Sequence, residues 1–222
     1  FTFTPPSGLG GGVTYLITAR NLNKSSCSQA INQVVKTPDP SDAGPDQNQC
    51  NTSSFTLAGN TPLYGTGVWS VFSGSATGFT PGAPSSSINV AAGVPTTSGT
   101  VTMRWRITNG SGSGACISDD YVVLNNYLPT VAGNVTPSSQ VACFGSNPVN
   151  DLILANNVGN VVKWQSADDL AFTINVNDIN VTSTTLTGAN IGVMTSTKYF
   201  RAVVQNGLCN SLSTTAVSIS TT

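Results

Sequence analysis

The sequence predicts an all-β chain of tandem antiparallel β-sandwiches, and three observations carry that expectation. Gly, Pro, Val, Thr, Ser and Asn interrupt every long window, and no stretch keeps apolar residues at i, i+3, i+4 and i+7 for three helical turns. Val101-Thr102-Met103-Arg104-Trp105-Arg106-Ile107 alternates strictly. It puts Val101, Met103, Trp105 and Ile107 on one face and Arg104 and Arg106 on the other, the period of a half-buried strand. Finally, cysteines recur at nearly fixed spacing. Cys50 and Cys116 lie 66 residues apart, as do Cys143 and Cys209, and the late cysteines Cys27, Cys116 and Cys209 are offset by 89 and 93. A period near 90 residues is the size of one immunoglobulin-like sandwich.

Taken in chain order, residues 1–37 hold the strand-like Tyr15-Leu16-Ile17-Thr18 ahead of Cys27. They read as the closing hairpin of an incomplete module. Half a sandwich cannot bury its apolar face alone, so this piece is expected to come from a longer protein or to be completed by another molecule. Lys36-Thr37-Pro38-Asp39-Pro40 marks the first joint and Leu128-Pro129-Thr130 the second, because proline cannot donate to a ladder and favours extended linkers. Residues 38–128 then form one complete module and residues 129–222 another. Each carries one tryptophan soon after its first cysteine, Trp69 in Gly67-Val68-Trp69-Ser70-Val71 and Trp164 in Val161-Val162-Lys163-Trp164-Gln165, the place of a buried tryptophan on a central strand. Each ends in a hairpin, with Trp105-Arg106-Ile107-Thr108-Asn109-Gly110 before Cys116 and Phe200-Arg201-Ala202-Val203-Val204-Gln205-Asn206-Gly207 before Cys209. The closing strands are Tyr121-Val122-Val123-Leu124 and Ala216-Val217-Ser218-Ile219.

Composition narrows function. Charged residues make up 8% of the chain against 39% hydrophobic, and the net charge is −1, so the surface is polar but nearly neutral. Its eight Lys and Arg are scattered singly, without the basic stripe that nucleic acid requires or the clusters that anionic lipid attracts. No apolar run is long enough to span a membrane, and Phe1-Thr2-Phe3-Thr4-Pro5-Pro6 lacks the features of a signal peptide. Any signal or anchor is therefore expected outside this segment. The sequence contains no His and no Glu, which removes Ser-His-Asp and Cys-His arrangements, an imidazole base and His-ligated zinc. The chain is read as non-enzymatic.

Five cysteines in a repeated frame suggest two disulfides within modules and one residue left over. The spacing favours Cys50 with Cys116 and Cys143 with Cys209, leaving Cys27 unpaired within the chain. Such bonds imply an oxidising, extracellular location, and closing each loop would stabilise its module by roughly 4 kcal/mol. A zinc site would need closely spaced ligands such as C-x-x-C, and none occurs.

Asp42-Ala43-Gly44-Pro45-Asp46-Gln47-Asn48-Gln49-Cys50, Gly67-Val68-Trp69-Ser70-Val71-Phe72-Ser73-Gly74 and Met103-Arg104-Trp105-Arg106-Ile107-Thr108-Asn109-Gly110, closing on Ser118-Asp119-Asp120-Tyr121-Val122-Val123, resemble the PKD-like and Ig-like repeats of giant Bacteroidetes surface adhesins. The last module, through Pro129-Thr130-Val131-Ala132-Gly133, Val161-Val162-Lys163-Trp164-Gln165 and Phe200 to Cys209, is similar to a second repeat type of the same proteins. The resemblance implies a cell-surface location, export by the type IX route and an adhesive role. It is specific for architecture and silent about ligand.

Candidate sites are few. Asp39, Asp42 and Asp46 gather at a joint, where calcium stiffens extracellular arrays; the competing reading is that Asp beside Pro and Gly makes turns. Asp119-Asp120 and Asp168-Asp169 are poor candidates for a glycosidase pair, since adjacent strand residues point to opposite faces. Tyr64, Phe72 and Phe79 sit in Gly/Ser/Thr/Pro-rich segments where an exposed ring can stack on a sugar, against the alternative that they cap the end of a sandwich. The expected function is a structural repeat of a surface adhesin or filament whose partners are neighbouring repeats, with self-assembly into a fibre and surface glycans as further partners. A carbohydrate-binding module of a secreted protein is the alternative.

Overall fold

A computed structural model of the chain describes the backbone of Val13–Asn21 and Lys24–Val35 and, in full, residues 38–93, 99–110 and 115–222. The first two segments are strands β1 (Val13–Asn21) and β2 (Lys24–Val35), paired antiparallel from Val13 opposite Val35 to Arg20 opposite Ser28. The chain divides into two compact units. Unit 1 comprises Phe1–Gln47, Ser53–Ala91 and Thr100–Leu124; unit 2 comprises Asn48–Thr52, Ala92–Gly99 and Asn125–Thr222.

The strands that follow are β3 (Gln47–Cys50), β4 (Ser54–Ala58), β5 (Thr66–Ser73), β6 (Ser85–Asn89), β7 (Thr100–Asn109) and β8 (Cys116–Tyr127). One sheet has the order β3-β8-β7-β5, and β4 pairs with β6 in a second. Each strand is set by alternation. Phe55 and Leu57 of β4 point inward, as do Val101, Met103, Trp105 and Ile107 of β7, all at most 2% exposed, while Arg104 and Arg106 face outward as expected. With Ile88, Trp69, Val122 and Leu124 these side chains form the core of unit 1. Trp69 and Trp105 are cross-strand partners whose rings lie 5.0 Å apart. Their indole N–H groups donate to Pro84 O (3.1 Å) and Asn60 Oδ1 (3.0 Å), so neither buried donor is left unpaired.

Unit 2 is built from β9 (Asn134–Thr136), β10 (Ser139–Ala142), β11 (Leu152–Ala155), β12 (Asn160–Ala167), β13 (Asn177–Ile179), β14 (Thr185–Leu186), β15 (Lys198–Gln205), β16 (Leu212–Ser213) and β17 (Val217–Thr221). The sheets run β14-β11-β9 and β10-β17-β15-β12-β13, with β16 also on β15. Trp164, Leu152, Leu186, Phe200, Ala202, Val204 and Ile219 fill the space between them. Trp164 is fully buried and donates from its indole nitrogen to Ser183 O at 3.0 Å.

The two sandwiches share one plan. β3, β8, β7 and β5 match β10, β17, β15 and β12, with an opening edge strand beside the closing strand and the tryptophan-bearing strand inside; the order is immunoglobulin-like. Two pairings depart from the antiparallel expectation: β3 runs alongside β8 in the same direction, and β10 does so alongside β17, with Ser139 opposite Ser218 and Ala142 opposite Thr221. The four-residue helix α1 (Gly188–Ile191) was not foreseen; Thr187 caps it by accepting from Asn190 N.

Candidate functional site

A set of buried and partly buried polar contacts surrounds the end of β3. Beyond Cys50 the chain turns through Asn51 at φ 50°, and Asn51 N donates to Tyr127 O at 2.8 Å. Thr52 is then gripped from both sides: its N–H donates to Asn126 Oδ1 (3.1 Å), and Asn126 Nδ2 donates to Thr52 O (2.5 Å). Asn126 is 2% exposed, and its own backbone is satisfied by Gly99 O (2.7 Å) and Gly93 N (2.9 Å). A second buried asparagine, Asn206, donates from Nδ2 to Leu128 O (2.8 Å) and from its backbone to Thr130 Oγ1 (3.1 Å). Its carbonyl accepts from Cys209 N at 2.9 Å. Gly207 adopts φ 53°, and a Cβ there would lie 2.4 Å from the Tyr127 ring, so the turn after β15 presses directly on that tyrosine. The result positions Cys209, which is 2% exposed, against Cys50.

These two cysteines form the disulfide. Cys50 and Cys209 are bonded across 159 residues with a Cα separation of 5.1 Å, both within unit 2, while Cys116 and Cys143 are free thiols. This corrects the expected pairs Cys50–Cys116 and Cys143–Cys209, and strand direction is the reason. Asp46 Oδ1 accepts from Val123 N, Asn48 Oδ1 from Asn125 Nδ2, and Asn51 N donates to Tyr127 O, so β3 advances alongside β8 in the same direction. Cys50 therefore sits at the Tyr127 end of β8, and Cys116 at the other end, eleven residues or about 36 Å away at about 3.3 Å per residue. A disulfide tolerates no more than about 7 Å between Cα atoms. The second module repeats the geometry. Cys143 follows Ala142 opposite Thr221, near the Lys198 end of β15, whereas Cys209 lies beyond Gln205 at the far end, roughly 23 Å along the strand. The side chain of Cys27 lies outside the described residues.

The acidic candidates are engaged separately. Asp39 Oδ2 accepts from Leu63 N and from Tyr64 N (2.9 Å), Asp42 Oδ1 from Gly44 N (2.9 Å), and Asp46 Oδ1 from Val123 N (2.7 Å). Among the described residues no three His, Cys, Asp or Glu side chains gather as a metal site. The adjacent acids diverge too. Asp119 meets Arg106 through two hydrogen bonds (2.6 and 2.5 Å), and Asp120 accepts from Ala43 N (2.8 Å). Asp168 binds Lys198 (2.5 Å) and Asn175 (2.6 Å), whereas Asp169 accepts from Ile174 N and Thr173 N, both at 2.8 Å. Hydrogen bonding from these partners holds the carboxyls of Asp119, Asp168 and Asp169 below the usual carboxylate range; Lys163 does the same for Asp178.

The aromatic candidates separate by burial. Phe79, offered either as a stacking ring or as a cap of the sandwich end, is partly buried and packs against the unit 1 core, the place of a cap. Tyr64 is exposed, in a loop pinned by Asp39. Phe72 is 60% exposed and meets Tyr121, 42% exposed, edge to face at 4.8 Å. Sequence reasoning passed over Tyr121. The signal was its outward place in the alternation of β8, two residues after Asp119.

Fold and site together define a tandem immunoglobulin-like sandwich chain with a disulfide from the end of β3 to the turn after β15. A family model described as "Domain of unknown function (DUF8696)" matches residues 131–222. No curated protein matches the chain. Among solved structures it is similar to the D00-D0 domain of intimin, with 12% identity, 81% of this chain and 98% of that chain covered, and a TM-score of 0.42. It is also similar to an I-band fragment of titin (10% identity, 95% and 75% covered, TM-score 0.42) and to mouse cadherin-23 EC22-24 (12%, 84% and 67%, 0.31). The fold itself rests on the sheet order and the two cores. Among the described residues no helix is long and apolar enough to cross a membrane.

Proposed function

We propose that this chain is a structural repeat segment of an extracellular cell-surface adhesin or filament, without catalysis. The observation that carries the reading is the Cys50–Cys209 bond, which ties together residues 159 apart in sequence within unit 2 and suits an oxidising compartment. The lack of His and Glu and the weakly charged surface agree with a role in spanning distance. The resemblance to Bacteroidetes adhesin repeats supplies the cell surface and the adhesive role. Antibody raised against the chain should label intact source cells, and the label should disappear after brief external proteolysis. Labelling that requires permeabilised cells would sink the reading.

A second reading is favoured by the Phe72–Tyr121 pair, an exposed aromatic platform of the kind that stacks on a sugar ring. On that reading the purified chain binds selected glycans on an array, and Phe72→Ala or Tyr121→Ala abolishes the signal without changing the circular dichroism. Binding that survives both substitutions removes this platform from consideration.

A further inference from the structure

The frame that surrounds Cys50 recurs around Cys143, where no bond is made. Cys50 ends β3 and Cys143 directly follows β10, the matching opening strands. In each case the next residue donates its N–H to the end of the closing strand: Asn51 N to Tyr127 O at 2.8 Å, and Phe144 N to Thr222 O at 3.3 Å. Cys116 and Cys209 correspond in the same register, each lying within seven residues after the end of the matching strand, β7 or β15. The observed disulfide thus joins an opening-strand cysteine to the hairpin cysteine of the repeat that follows it in sequence. Cys143 and Cys116 carry the two halves of that same connection as free thiols. The surface near Cys143 suits a covered position: Val141 is 59% exposed, Phe144 66%, Val149 91% and Val193 62%. Gln140 Nε2 donates to Asn150 O (3.0 Å) and Gly145 N to Met194 O (2.8 Å), which holds the loops bearing Val149 and Val193 beside β10. Clustered exposed apolar residues of this kind mark interaction surfaces.

We propose that Cys143 is the attachment site for the closing-hairpin cysteine of another repeat of this kind, and that in solution of this chain the partner is Cys116 of a second copy. The inference rests on the reading of the chain as an extracellular repeat segment, because cytosolic thiols stay reduced. One thiol on each copy loses its proton, the sulfurs join, and two electrons pass to a disulfide oxidant such as oxidised glutathione, which leaves as two thiols. Two different ends are used, so the contact is heterologous and propagates head to tail into a fibre.

The test uses chains of residues 1–222 carrying Cys27→Ser, with Cys116→Ser or Cys143→Ser added, held as folded monomers and exposed to a glutathione redox buffer. The parent should give a ladder at integral multiples of its mass on non-reducing gels. Each added variant alone should stay monomeric. Their equimolar mixture should yield a dimer at least tenfold more abundant than either homodimer, with peptide mapping placing the bond between Cys143 and Cys116. Absence of the mixed dimer, or homodimers as abundant as it, overturns the proposal. Mapping the monomers separates the two levels. A missing Cys50–Cys209 bond under the same buffer fails the disulfide-braced extracellular reading, whereas an intact one without mixed dimer fails only the link between copies.

Discussion

Gly67 is the residue on which the unit 1 core turns. A Cβ at that position would lie 2.0 Å from Trp105 Cζ2 and 2.4 Å from Cη2, and the Trp105 ring is fully buried between Trp69 and the facing sheet. No rotamer change of an exposed side chain relieves that overlap. Gly67→Ala is therefore expected to destabilise unit 1 by about 2–3 kcal/mol, the scale of overpacking in a close-packed core. In urea unfolding the midpoint should drop at an unchanged slope, and a loss below about 0.5 kcal/mol would contradict the packing described. The tryptophans themselves were legible in the sequence, since Trp69 and Trp164 stand at matching places in two strand-like segments. The glycine was not, because its role depends on a ring that arrives from a strand 38 residues away. Phe79 was left between two readings for a related reason: a loop composition rich in Gly and Pro says where the chain turns and nothing about which way a ring points.

At the scale of elements, a buried asparagine at the end of β8 grips the chain just beyond β3. Asn126 accepts from Thr52 N and donates to Thr52 O, so truncating it leaves a backbone donor and acceptor without those partners beside the Cys50 strand end. Asn126→Ala is expected to lower stability by about 1–3 kcal/mol. It should also speed hydrogen exchange at the amides of Asn51 and Thr52; unchanged exchange there would show that the disulfide alone fixes the segment. The disulfide partners were illegible for an elemental reason. Equal 66-residue spacings identify equivalent positions, but they do not reveal that β3 and β10 run in the same direction as β8 and β17. That direction sends each opening-strand cysteine to the pole opposite its own hairpin cysteine. Strand alternation, by contrast, was readable wherever one face is buried, and most clearly in β7. Helix α1 left no signature because four residues are too few to show a period.

For the whole molecule, the charges that matter are the acids held by named partners. Arg106 and Lys198 hold Asp119 and Asp168 below the ordinary carboxylate range, Ile174 N and Thr173 do so for Asp169, and Lys163 for Asp178. A carboxyl whose folded value is depressed binds its proton more readily in the unfolded chain. Its contribution is therefore fully present above the unfolded value, about 3.9 for Asp, and is lost as pH falls through the lower folded value. The sequence has no histidine, so no imidazole adds a second titration between pH 5 and 8. The expected thermal profile is flat from about pH 5.5 to 7.5 and falls once the pH drops below about 4. The three ion pairs among the described residues are partly exposed to solvent, so screening keeps the acid step modest and added salt should shrink it further. Calorimetry across this range at two ionic strengths checks both features. A midpoint that slopes steeply through pH 6 would show that groups other than these aspartates govern stability, whereas Asp119→Asn should blunt the acid step while leaving the neutral plateau flat.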